Sequence, residues 1–188
     1  MKDFLSTRRS TKVKCMAEPG PSGDELQDIL TSAARVPDHK KLVPFRFVVF
    51  EGEARAAFGN HLKDIFLRDN PDATPQQLEF EHQRFLRAPT VIAVISAVKD
   101  EKNVPYWEQV LSAGACCYNL CLAANAYGYG TNWITEWYSY HPEINALLKL
   151  QDGETIAGFI YIGTATEDNS ERDRPNIKHI TNFWTSHN

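Results

Sequence analysis

Residues 107–127 read WEQVLSAGACCYNLCLAANAY, the longest helical stretch in the chain and the one that decides its fold. Ala, Leu, Cys and other small residues leave it apolar around most of its circumference. Such a helix is expected to be buried on several sides, running through a core or a subunit interface. Gly128-Tyr129-Gly130 ends it with residues that tolerate left-handed dihedrals, and residues 131–134 return as a strand. Cys116, Cys117 and Cys121 lie inside the helix and the fourth cysteine is Cys15, a spacing unlike a disulfide framework. Cys117 and Cys121 are placed to share a helix face, but no further ligand is spaced to complete a metal site. They read as small buried hydrophobes in a reducing compartment.

Working outward, residues 90–96 form a continuous apolar run, the pattern of a central strand buried on both faces. Residues 45–50 make a second strand. Helices are expected over residues 24–34, with Ser22 or Gly23 as cap and Pro37 beyond, over 53–68 and over 76–86. A short helix at 142–148 and a strand at 154–164 follow. The order of elements is that of an α+β chain folded in three layers. From Glu167 the sequence turns polar, yet it carries Ile180, Phe183 and Trp184, which a loose tail does not need. A tail that docks on its own domain or on a partner subunit explains them.

A chain of 188 residues with 43% hydrophobic and 23% charged residues reads as one soluble domain over residues 1–188. The net charge of -4 and pI near 5.9 give no reason to expect nucleic acid or anionic lipid as a partner, and point to a small molecule. The longest apolar run, residues 91–95, falls far short of the ~18 residues of a membrane span. With no apolar leader at its start, the chain is expected in the cytoplasm.

Four constellations carry chemistry. Arg8-Arg9-Ser10 presents two guanidinium forks and a hydroxyl, suited to a phosphomonoester, although paired arginines are also common on solvated surfaces. Arg35-Val36-Pro37-Asp38-His39-Lys40 precedes Pro44-Phe45-Arg46-Phe47, a donor-rich loop leading into a strand; His39 there serves either a ligand carbonyl or the loop itself. Gly128 to Glu136 is a glycine turn feeding a strand, without the spacing of a dinucleotide fingerprint. Arg172 and Arg174 either join the first arginine pair or solubilise the tail. No nucleophile elbow, P-loop or HExxH motif is present, so hydrolysis by those routes has no anchor.

Taken in order, these segments resemble the FMN-dependent nitroreductase family, in particular its small single-domain NAD(P)H nitroreductase branch. The matching pieces also include Trp107-Glu108-Gln109 with Ser112-Ala113-Gly114, and the strand from Gly158 to Thr164. The resemblance implies a three-layer sandwich with a central mixed sheet flanked by helices, in an intertwined homodimer whose long helix packs against its mate. It implies FMN held between subunits and reduced by NADH or NADPH, with a nitro compound or quinone as the acceptor in a ping-pong cycle. Arg8, Arg9 and Ser10 then match the phosphate, ribityl and pyrimidine contacts, and Arg172 or Arg174 completes the phosphate pocket. Arg35 and His39 approach from the other subunit, while Trp133, Ile134, Thr135 and Glu136 lie at the ring. No side chain is assigned as catalytic. The chain departs from the family pattern at Thr135-Glu136-Trp137, where glycine is usual after the strand; a positive φ there would strain Glu136. That departure leaves a non-catalytic flavin-binding or sensor protein as the alternative.

Overall fold

Along Thr90–Ala97 all eight residues are buried, with Val91, Ala93 and Ile95 facing one way and Ile92 and Val94 the other. A strand that is apolar on both sides needs a layer of helices on each. The computed structural model describes residues 1–185 and supplies both layers. In chain order the elements are α1 (Lys2–Thr7), β1 (Met16–Ala17), α2 (Gly23–Ala33), β2 (Phe45–Phe50), α3 (Glu53–Asp69), α4 (Pro75–His82), β3 (Thr90–Ala97), α5 (Tyr106–Ala126), β4 (Gly130–Ile134), α6 (Pro142–Leu147) and β5 (Glu154–Ala165). α2 and α5 cover the face of Ile92 and Val94. α3 and α6 cover the opposite face, with α4 packed on α3. The expected α+β three-layer sandwich is what the chain forms.

The sheet itself corrects an expectation. It is not mixed: β2 pairs with β3, and β3, β4 and β1 all pair with β5, every pair antiparallel. The reason lies in the connections. α3 and α4 run out and back between β2 and β3, returning the chain to the edge it left. β3 and β4 do share a direction, as the single crossover helix α5 requires, but β5 inserts between them antiparallel to both.

Local chemistry sets the ends of the helices. Ser22 caps α2 through a capping box with Glu25. After α5, Gly128 adopts φ +89°, its amide donates to the Asn125 carbonyl at 2.9 Å and the Tyr129 amide reaches back to Ala124 at 3.1 Å, a Schellman closure. The helix expected over residues 76–86 tightens into a 3-10 turn at Gln83–Arg87.

All four cysteines are buried free thiols. Burial raises Cys116 to about 12 and Cys121 to about 11, and Cys117 higher still, so these three pack as apolar groups. Among the described residues no helix is long and apolar enough to cross a membrane. Ile180, Phe183 and Trp184 do not dock on their own domain: they are 64%, 86% and 82% exposed.

Candidate functional site

The segment after α1 is fastened to β4. Thr11 is fully buried; its amide donates to the Thr131 carbonyl at 2.9 Å, and Asn132 Nδ2 donates to the Thr11 carbonyl at 2.6 Å. Thr11 lies so close over Gly130 that a Cβ there would meet its Oγ1 at 2.6 Å, which is why the strand begins with glycine. Arg8, Arg9 and Ser10 are thereby set beside β4. Arg8 stands over the Tyr118 ring of α5, 5.5 Å from its centre. Arg9 donates to the carbonyls of Ser6 and Arg8 and pairs with the carboxylate of Glu171, which also accepts from Arg174 Nη2 at 3.0 Å. Asn169 Nδ2 ties the same tail to Thr11 Oγ1 at 3.0 Å. The tail thus brings Arg174 to the N-terminal pair, with an oxyanion seated between. Ser10 lines a small cavity of about 80 Å³ with Lys12, Cys15 and Asn169. Arg172 is exposed, and only its backbone amide meets Glu171.

At the other end of β4, a β-bulge in β5 shapes the surface. Val94 pairs with Gly158 and Ile95 with Ile156, so Ala157 is the extra residue. Its carbonyl accepts from Trp133 Nε1 at 3.1 Å. A Cβ on Gly158 would lie 2.0 Å from that nitrogen, so the indole rests directly on bare backbone. Trp133 pairs in register with Ile160 and shares its face, that of α5, while Ile134 turns to the opposite face and packs into the core beneath α3 and α6. Thr135 is exposed. Glu136 has φ -109°, ordinary extended backbone, which corrects the expected strain at this position.

Arg35 and His39 lie in the segment that follows α2 and runs along α5. Asp38 holds their loop by accepting from the amides of Leu42 at 3.0 Å and Val43 at 2.8 Å. Lys40, Lys41 and Val43 all adopt positive φ, 59°, 57° and 50°, an arrangement that side-chain-bearing residues avoid and that concentrates at functional surfaces. His39 Nδ1 lies 2.7 Å from Glu108 Oε2, and Ser112 Oγ donates to the Pro37 carbonyl at 2.8 Å. A cavity of about 340 Å³ opens here, lined by Pro37, His39, Glu108, Leu111 and Ser112. Arg35 is exposed, its carbonyl accepting from Asn119. Glu108 and Tyr118 are ten residues apart on α5, or ~15 Å at 1.5 Å per residue, which sets His39 apart from Arg8, whereas the Arg35 backbone meets Asn119, the neighbour of Tyr118. Along α5 runs an exposed apolar stripe, Trp107, Leu111 and Tyr118, at helical spacing.

Sequence reasoning missed a buried network around Glu136. Arg84 and Arg87 both pair with its carboxylate, Arg87 at 3.3 Å. Arg84 also holds Glu81, which is 3% exposed and accepts from Trp137 Nε1 at 2.8 Å. Arg87 donates to Tyr161 Oη at 3.2 Å, and Tyr161 shares a hydroxyl contact of 3.0 Å with Tyr138. The only signal was the three-residue spacing of Glu81, Arg84 and Arg87, which puts them on one side of a turn; their partner lies 49 residues on from Arg87.

Residues 5–164 match the model of the nitroreductase family. YdjA of Escherichia coli (strain K12), provisionally named an NAD(P)H nitroreductase, is 33% identical over 162 residues, 86% of each chain. Among solved structures, a nitroreductase-like family protein from Bacillus cereus superposes with a TM-score of 0.85 at 21% identity, covering 97% of this chain and 95% of its own. A nitroreductase from Bacteroides fragilis NCTC 9343 with bound FMN gives 0.70 at 19% identity, over 97% and 98% of the two chains.

Proposed function

From a chain that belongs to the nitroreductase family, we infer an FMN-dependent oxidoreductase that takes electrons from NADH or NADPH and delivers them to a nitro compound, quinone or similar acceptor. The observation that carries the reading is the seating of an oxyanion, the Glu171 carboxylate, between Arg9 and Arg174 beside the end of β4. Two arginines that close on a carboxylate present the donors a phosphomonoester needs, and the hydroxyl of Ser10 adds a neutral one. When FMN is bound, Glu171 gives up this place.

Arg8, Arg9, Ser10 and Arg174 hold the phosphate and ribityl end, with Arg172 as a second cation in the tail. Trp133, Ile134, Thr135 and Glu136 contribute the end of β4: the indole sets the floor on the α5 side, and the backbone at 135–136 faces the ring. Arg35 and His39 reach the flavin of the partner subunit; for His39 the support is its place beside Glu108, ~15 Å along α5 from the Tyr118 that Arg8 covers. The Trp107, Leu111 and Tyr118 stripe and the tail carrying Ile180, Phe183 and Trp184 are apolar surfaces that a second copy covers. A homodimer follows, in the cytoplasm, where free buried thiols persist.

FMN, when bound by these residues, would supply the redox chemistry between the nicotinamide donor and the acceptor. The residues of the chain bind, orient and supply positive potential. Donor and acceptor take turns over the same ring, a ping-pong cycle, so initial-rate lines for the two substrates run parallel. Purified protein is expected to be yellow, to release FMN and not FAD on heating, and to bleach rapidly with NADH or NADPH under anaerobic conditions. A yellow protein that stays oxidised would favour a sensor, and a colourless one that takes up no added FMN would end the reading.

A further inference from the structure

The Glu136 carboxylate is received by two guanidinium groups from the turn Gln83–Arg87. Each of those groups is fixed in turn. Arg84 is stacked on the Phe80 ring, 4.7 Å from its centre, and bonded to the buried Glu81; Arg87 lies over Tyr161 at 5.1 Å and donates to its hydroxyl at 3.2 Å. Trp137, the next residue in the chain, bonds the same Glu81. Residues 136 and 137 are therefore anchored by two neighbouring side chains to one buried cluster whose charges balance, two arginines against two glutamates. The backbone they anchor begins at Thr135, just past the last paired residue of β4, Ile134. A segment leaving a strand end is ordinarily the softest part of a site, and here it is tied to the core through charge-assisted hydrogen bonds.

We propose that Arg84 and Arg87 are positioning residues, which act through Glu136 to hold the backbone at 135–136 in place against the flavin ring. The inference rests on the flavin reading above. Both arginines are mostly enclosed, Arg87 19% exposed over the Tyr161 ring and Arg84 11% exposed. In this chain a salt-bridged glutamate sets the path of the chain after β4 by a side-chain tether on ordinary extended backbone.

The test uses the full-length protein with Glu136→Gln, Arg87→Met and the double variant, which removes the pair together and leaves no lone buried charge if a single variant fails to fold. Amide hydrogen exchange without FMN is read first. Exchange at the amides of Ser139 and Tyr140, which donate to the carbonyls of Glu136 and Trp137, should quicken by about tenfold or more in Arg87→Met while β3 and β5 stay protected. The absorption envelope and midpoint potential of added FMN are read second, and both should shift in the variants. Unchanged exchange at Ser139 and Tyr140 overturns the proposal, and so does faster exchange with an unaltered flavin spectrum and potential, because the tether would then serve only stability. Failure of the flavin reading shows itself separately, as a wild-type protein that binds no FMN, and it would overturn the positioning role as well.

Discussion

The two faces of the sheet meet the demand for burial in different ways. Beneath α3 and α6, Phe50, Phe58, Phe85, Tyr138, Phe159 and Tyr161 pack ring against ring, and the arginine and glutamate cluster pairs most of the charge that intrudes, although Ser139 Oγ and Asn145 Oδ1 are buried without a hydrogen-bond partner. That side is complete within one chain. On the α5 side the interior is equally dry, with Cys116, Cys117, Leu120 and Ile160 fully buried, yet the outer surface of the helix leaves Trp107 and Leu111 more than half exposed. The lesson is that one face closes on itself within the chain while the other leaves apolar surface open, and on that open surface the proposed dimer rests.

The largest effect should come from the self-contained face. Phe85 is fully buried and touches five of its aromatic neighbours; Phe85→Ala should lower the unfolding free energy by about 3–5 kcal/mol in a urea titration. A loss below about 1 kcal/mol would mean that this core is not the keystone of the fold. Leu111→Glu probes the other face. It should leave the unfolding of the monomer nearly unchanged but cost about 2 kcal/mol or more of association, read as a fall in mass toward the 21.3 kDa chain by light scattering.

Arg9→Ala should weaken FMN by roughly 10- to 100-fold, the loss of a charge-assisted hydrogen bond worth about 1.5–3 kcal/mol, while riboflavin, which lacks the phosphate, binds as before. Equal losses for both would place Arg9 away from the phosphate. The smallest effect concerns neither face but the end of the sheet, where Arg46 clasps Glu154 at 2.6 Å. The hydrogen bonds from Arg46 hold the Glu154 carboxyl below its ordinary value of 4.5. The pair's contribution is therefore complete above pH 4.5 and disappears as pH falls through the lower, folded-state value. Glu154→Gln should remove that acid-side decline, an effect of about 1 kcal/mol or less because Arg46 is 36% exposed.

Much of this division was legible in residues 107–127, whose small apolar side chains around the whole helix required burial on several sides, and in residues 90–96, whose unbroken apolar run required a central strand. Periodicity reports which side of an element is apolar, so it found the layers. It does not report which strands become neighbours: the insertion of β5 between β3 and β4 turned an expected mixed sheet into an antiparallel one. The bulge at Ala157 was hidden for a related reason, since one extra residue in a strand changes no local pattern. In the site, Arg8-Arg9-Ser10 stood out because three groups of a kind suited to a phosphate are consecutive. The tether of Glu136 to Arg84 and Arg87 did not, because its parts come together only when β4 ends beside the turn after α4. Glycine's absence at 136 read as a source of strain until the backbone there proved to be extended.

The central claim, that each flavin is held by two chains, is tested most directly by mixing defects. Arg9→Ala removes a group from one side of the proposed site and the double variant Arg35→Ala with His39→Ala removes the other, so each alone should bind FMN poorly. When the two are unfolded and refolded together, each mixed dimer should contain one doubly damaged site and one intact site, restoring tight FMN binding to about a quarter of all sites. Recovery of that fraction is the predicted result; no recovery from a mixture shown to contain mixed dimers would contradict the account.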